Sequence, residues 1–207
     1  MIRGTRREVV AGPAGDLECA VDDPPEAPRG LAVICHPHPQ FGGTMDNKVV
    51  QTLARAFVQS GLRSVRFNFR GIGASAGTWD EGRGEVDDAL SVIAAWRDAA
   101  GAPPAPFVLA GFSFGGYVAA AASARLADTA KPTRMVLVAP STEKQQVPEV
   151  PRECLVIHGE ADDVVPLAAT LAWARPQSLP IVVVPGGGHF FHGQLTLLKD
   201  IVRRCAR

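Results

Sequence analysis

Short apolar runs alternate with longer amphipathic stretches along most of the 207-residue chain. Residues 17–21, 31–35, 63–68, 107–110, 135–139, 155–158 and 181–184 are apolar runs of strand length. Helical periodicity occupies residues 48–60, 85–99, 114–126, 167–174 and 194–205. In the first of these helices Val49, Val50, Leu53, Ala54, Phe57 and Val58 form one face, with Lys48, Gln51, Arg55 and Gln59 opposite. Such a segment buries one side and solvates the other. Asp46 or Asn47 can cap it by accepting from an amide of its first turn.

Strands that are apolar throughout, rather than alternating, are buried on both faces, and their alternation with helices predicts a parallel sheet. The expected fold is therefore α/β, a mainly parallel sheet of seven to eight strands with helices on both faces. Residues 7–10 are expected to pair antiparallel with 17–21 through the turn Gly12-Pro13-Ala14-Gly15, giving an edge hairpin. Residues 102–106 and 142–151 are expected loops, and there is no internal repeat. The length is that of a single domain spanning residues 1–207.

Charge narrows the choice of partner. Lys plus Arg and Asp plus Glu are both 21, so the chain has no bias toward nucleic acid or an anionic membrane. Arg3, Arg6 and Arg7 are not followed by the apolar core of a signal peptide, and no run approaches the roughly 18 apolar residues of a membrane span. The expected location is the cytoplasm. Cys19, Cys35, Cys154 and Cys205 form neither a C-x-x-C pair nor a cluster with His at metal spacing, which predicts buried thiols and no metal site.

The candidate chemistry begins at Gly111-Phe112-Ser113-Phe114-Gly115, which follows one apolar run and opens a helical one. That is the setting of a G-x-S-x-G nucleophile elbow, with Ser113 as candidate nucleophile. A serine hydroxyl needs a base within hydrogen-bond reach and an acid to orient that base. Gly186-Gly187-Gly188-His189 supplies the base after the last strand; His192 is the rival, at the start of the last helix where capping or solvent exposure suits it. His158-Gly159-Glu160-Ala161-Asp162-Asp163 supplies the acid, as Asp162 or Asp163. The order Ser, Asp, His is that of the α/β hydrolases and differs from the orders of the two other common serine protease types.

The segment His158-Gly159-Glu160-Ala161-Asp162, followed by Val164-Val165-Pro166, resembles the H-G-x-x-D-x-x-V-P stretch of small serine α/β hydrolases and dienelactone-hydrolase-like esterases. The resemblance extends over nearly the whole chain. It includes His36-Pro37-His38-Pro39 with Gly42-Gly43, and Asn68-Phe69-Arg70-Gly71-Ile72-Gly73-Ala74-Ser75, which is similar to a D-x-R-G-x-G-x-S loop but has Asn68 for Asp. It implies an α/β-hydrolase fold and Asp162 as the triad acid. Where true dienelactone hydrolases have a Cys nucleophile, this chain has Ser113.

A tetrahedral intermediate needs backbone donors aimed at its oxyanion. Phe114, directly after the nucleophile at the start of a helix, is one expected donor. Pro37 and Pro39 have no N–H, so His38 is the expected second donor and Gln40 the fallback. A metal pair at His36 and His38 lacks a third ligand nearby. Residues 141–153, where a lid domain would be inserted, hold only a short loop, so no lid is expected.

The site is then open, with Phe41, Trp79, Phe112, Phe114 and Phe190 as candidate substrate-binding residues. The expected function is a serine hydrolase that cleaves carboxylic esters of short to medium acyl chain through an acyl-enzyme, without cofactor. Its partner is a small-molecule ester. Thioesterase or peptidase is the alternative within enzymes, and a non-catalytic hydrolase-fold binding module the alternative outside them.

Overall fold

The computed structural model describes residues 4–99 and 106–205. Most of the loop expected over 102–106 therefore lies outside the described residues. Eight strands form one sheet: β1 (Arg6–Gly12), β2 (Gly15–Asp22), β3 (Leu31–Cys35), β4 (Arg63–Phe67), β5 (Phe107–Phe112), β6 (Arg134–Val138), β7 (Leu155–Gly159) and β8 (Ile181–Val184). Five α-helices accompany them: α1 (Lys48–Gln59), α2 (Arg83–Ala99), α3 (Phe114–Arg125), α4 (Leu167–Ala174) and α5 (Leu195–Cys205).

The strand order is β1-β2-β4-β3-β5-β6-β7-β8. β1 pairs antiparallel with β2 and β2 with β4, while every pairing from β4 to β8 is parallel. The central strands bury both faces, one residue to each side in turn. Leu31, Val33 and Cys35 of β3 join a core with α2 and α3, while Ala32 and Ile34 join one with α1 and α5. No helix among the described residues is long and apolar enough to cross a membrane.

Two boundaries differ from the sequence expectation for identifiable reasons. β5 runs on to Phe112 rather than stopping at Ala110, because Gly111 pairs with Cys35 and Leu137, and Phe112 with Val138. α2 begins at Arg83, two residues early: Glu85 accepts from the amides of Asp80 and Gly82, and Asp80 from that of Gly84. These carboxylates satisfy amides that the helix start leaves without partners. At α1 it is Asn47 that caps, accepting from the Val49 amide at 2.9 Å.

The order reverses direction between β3 and β5, so the connections that leave their carboxyl ends run to opposite sides. Open parallel sheets bind ligands at such a point. The loops after β3, β5, β7 and β8 carry His36, Ser113, Asp162 and His189 to that one edge of the sheet.

Candidate active site

β5 passes into α3 at Ser113, which has φ 56° and ψ −119°. Such a backbone costs a non-glycine residue roughly 1–3 kcal/mol and persists only where its surroundings hold it. Here the Ser113 amide donates to the Val138 carbonyl at 2.9 Å, and its carbonyl accepts from Gly116 at 2.9 Å and Ser141 at 3.2 Å. The flanking glycines let the turn close. A Cβ on Gly111 would lie 2.0 Å from the Gly115 oxygen, and one on Gly115 would lie 2.2 Å from the Cys35 oxygen.

The structure brings His189 and Asp162 to this serine. Ser113 Oγ is 3.1 Å from His189 Nε2, and His189 Nδ1 is 2.8 Å from Asp162 Oδ2. A carboxylate accepts only, so Nδ1 carries the proton and Nε2 is free to accept from the serine hydroxyl. Asp162 Oδ1 accepts from the amides of Val164 at 2.9 Å and Val165 at 2.8 Å. Burial works to raise the Asp162 pKa but is outweighed by the His189 hydrogen bond, the Val165 amide, the His189 charge and the Val164 amide, which together lower it. Asp163 and His192 are both exposed and stand outside this chain of bonds.

The loop after β3 packs against the elbow. The His38 ring lies 5.0 Å from Phe114 and 4.6 Å from Trp79, centroid to centroid. Gln40 donates its amide to His38 Nδ1, Phe41 and Gly43 donate to the His38 carbonyl, and Gly42 donates to that of Pro39. With Pro37 and Pro39 lacking an N–H, His38 has the one amide between residues 37 and 43 that no acceptor among the described residues takes. The Gln40 amide, the fallback donor, is spent on the His38 ring. The Phe114 amide is likewise without an acceptor among the described residues.

A family model described as serine aminopeptidase S33 matches residues 26–153. A solved α/β serine hydrolase without a lid, from Xanthomonas campestris, is 36% identical over 100% of this chain and 95% of its own, with a TM-score of 0.90. The chain belongs to the lidless α/β serine hydrolases. An α/β serine hydrolase homologue from Coxiella burnetii is 38% identical over 96% of each chain, with a TM-score of 0.86. An uncharacterized protein of Rickettsia prowazekii is 39% identical over 52% of this chain; the match spans only 45% of that relative's length.

In this hydrolase the segment between β6 and β7 contains no helix and is strapped to α4. Trp173 Nε1 donates to the Val147 carbonyl at 2.9 Å, and the Val150 amide to Gln177 Oε1 at 3.0 Å. Phe41 is 78% exposed, and Phe190 and Trp79 also present surface to solvent. Phe112 and Phe114, expected beside them, are corrected by their burial. Phe112 has no surface to offer a substrate: it packs 4.9 Å beneath the His189 ring and supports the imidazole instead.

Two neighbours of the site lie outside the residues that the sequence singles out for chemistry. His158 Nε2 donates to the Val165 carbonyl at 2.9 Å and sits 3.5 Å from Asp162 Oδ2, while its Nδ1 is buried without a partner. Burial lowers its pKa, against the Val165 hydrogen bond and the Asp162 charge. Its position at the head of the H-G-x-x-D segment was the available signal. Lys144 lies over the Phe41 ring, 5.9 Å from its centroid. The His38 pKa is lowered by burial and then by the Lys144 charge. No motif marks that lysine.

Glu18 explains the departure at Asn68. The Asn68 Nδ2 donates to Glu18 Oε2 at 2.8 Å while its Oδ1 accepts from the Met45 amide at 2.9 Å. An Asp there would set two carboxylates against each other. Cys19, Cys35 and Cys154 are buried free thiols, and burial pushes Cys19 and Cys154 up to about 12. They offer no nucleophile.

Proposed function

We propose that this hydrolase cleaves carboxylic esters of short to medium acyl chain through an acyl-serine intermediate formed at Ser113, within a single domain. The observation that carries this reading is the continuous relay from Ser113 Oγ through His189 to Asp162, at 3.1 Å and 2.8 Å. His189 takes the hydroxyl proton as Ser113 Oγ bonds to the ester carbonyl carbon, and the carbonyl electron pair moves onto oxygen. The amides of Phe114 and His38 receive that oxyanion. Its collapse breaks the bond to the alcohol, which departs with the proton from His189. Water, deprotonated by His189, then attacks the acyl carbon; collapse of this second intermediate breaks the bond to Ser113 Oγ, which recovers its proton from His189 as the carboxylic acid leaves. The scheme needs no cofactor. Asp162 stays ionised throughout, holding the imidazole in the useful tautomer and stabilising its charged form.

Fluorophosphonate labelling with peptide mapping tests the reading. A covalent adduct on Ser113, absent after denaturation, is expected; folded protein that takes up no label overturns it in favour of a binding module.

A peptidase reading is favoured by the description of the matching family, serine aminopeptidase. Lys144 at the site mouth supports the ester instead, since its charge repels the free amino terminus an aminopeptidase substrate carries. Comparing kcat/KM on p-nitrophenyl acetate and on alanine p-nitroanilide decides between them. Cleavage of the ester with no turnover of the anilide supports the esterase, and turnover of the anilide supports the peptidase. The expected ligand is a small cytoplasmic ester.

A further inference from the structure

His36 is fully buried at the end of β3, with no contact to Ser113, His189 or Asp162 among its hydrogen bonds. Both of its ring nitrogens are engaged. Nε2 is 3.1 Å from the Phe69 amide, which can only donate, so Nε2 is the acceptor. The ring proton therefore sits on Nδ1, 2.6 Å from the Pro37 carbonyl oxygen, which can only accept. Burial pushes the imidazole down to about 3, against the pull of the Pro37 hydrogen bond, so the neutral tautomer persists at any working pH.

The Pro37 carbonyl and the His38 amide belong to one planar peptide unit, in which C=O and N–H point in opposite directions. A bond that draws the Pro37 oxygen inward toward His36 aims the His38 N–H outward. The rest of the loop cannot supply this control. Its other amides are spent on closing the turn over residues 38–43, on the His38 carbonyl, the Pro39 carbonyl and the His38 ring, and none of them holds the Pro37 carbonyl. From this we infer that His36 is a positioning residue of the oxyanion hole: its Nδ1–H clamps the Pro37–His38 peptide so that the His38 N–H faces the oxyanion formed on Ser113.

The inference rests on the serine-hydrolase reading above, and the two are tested separately. Wild-type protein is first assayed on p-nitrophenyl acetate beside Ser113→Ala. Wild-type activity that the substitution abolishes establishes the reaction; an inactive wild type, or an active Ser113→Ala, overturns the reading and the role of His36 with it.

With the reaction established, His36→Phe fills a similar volume and removes both hydrogen bonds. It is expected to lower kcat by roughly 10²–10³, the effect of losing one oxyanion donor, with KM within about threefold of wild type. Inhibition by a trifluoromethyl ketone, which forms a hemiketal oxyanion on the serine, weakens by the same factor. A purely structural role would not tie those two quantities together. A folded His36→Phe with wild-type kcat, or one with reduced kcat and unchanged ketone affinity, overturns the inference.

Should His36→Phe fail to fold, His36→Asn and His36→Gln decide the question. The Asn amide nitrogen falls where Nδ1 was and keeps the donor to Pro37, whereas Gln reaches past it toward Phe69. His36→Asn is expected to be roughly tenfold or more the faster enzyme. Equal rates, or a faster His36→Gln, overturn the assignment.

Discussion

Asp162 turns one carboxylate oxygen to His189 Nδ1 at 2.8 Å and the other to the amides of Val164 and Val165, whereas its neighbour Asp163 is exposed. The two acids are adjacent in sequence and opposite in surroundings. Asp162→Asn is expected to lower kcat by about 10⁴, since an amide favours the wrong imidazole tautomer and cannot stabilise the imidazolium. Asp163→Asn should remain within about twofold of wild type. Steady-state kinetics on one soluble ester ranks the pair, and the reverse order would move the acid to Asp163.

Replacing Ser113 or His189 by Ala should each remove turnover to near background. Ser113→Ala should also keep its thermal midpoint, since it removes one hydroxyl and keeps the hydrogen bonds made by its backbone; His189→Ala should lower the midpoint, since it leaves the buried Asp162 carboxylate without its partner. His192→Ala should have a mild effect on the rate, because that ring is exposed and its ring neighbour among the described residues is Phe190, 5.9 Å away centroid to centroid. An inactive His192→Ala beside an active His189→Ala would reassign the base.

The elbow glycines predict a loss of a different kind. A Cβ at Gly115 would come within 2.2 Å of the Cys35 oxygen and 2.5 Å of the His36 oxygen, both backbone atoms that cannot swing aside. Gly115→Ala should lower both the urea midpoint and kcat, as α3 is pushed from the loop that carries His38. Unaltered kcat in Gly115→Ala would break the link between that contact and the site.

His36 gives the fold a dependence on pH. Its folded-state pKa, about 3, lies below the ordinary value of 6.5, so the unfolded chain binds a proton that the native state refuses. The stability from keeping His36 neutral is complete above pH 6.5 and is lost as the pH falls from there toward 3. A shift of this size corresponds to roughly 5 kcal/mol at its limit. His158, buried with a lowered pKa, adds in the same direction. Urea midpoints measured from pH 8 to pH 4 should fall in wild type and fall less steeply in His36→Phe. Parallel curves would remove His36 as a source of acid sensitivity.

The absence of a lid sets the substrate range. Each methylene that finds apolar surface at Phe41, Trp79 or Phe190 should gain roughly 0.8 kcal/mol, a few-fold in kcat/KM, and each that projects into water should gain nothing. A p-nitrophenyl ester series should peak at short to medium chains with no jump above the micellar threshold. A steady rise to long chains with activation at an oil interface would contradict the open site.

Local signals already determine much of this protein. Alternation of apolar runs with amphipathic segments dictates a mainly parallel sheet because strands buried on both faces have no polar side to show. Ser113 and His189 are legible because a nucleophile on a tight turn requires glycines around it, and a base brought over a sheet edge needs a short, flexible approach. The two prolines of the loop after β3 narrow its free amides before any fold is known, because proline has no N–H.

What the chain alone does not decide is which side chains meet. Asp162 and Asp163 differ only in how β7 ends, and the register of that turn is set by contact with Val164 and Val165. Phe112 has the same chemistry as Phe41, yet one is core and the other surface, because β5 is flanked by β3 and β6 while Phe41 lies beyond the sheet. The proton on His36, the amide left free at His38 and the cation over Phe41 all depend on partners brought together from different parts of the fold. Local sequence determines which groups are available; only the packed fold brings their partners within the 3 Å or so over which hydrogen bonds act.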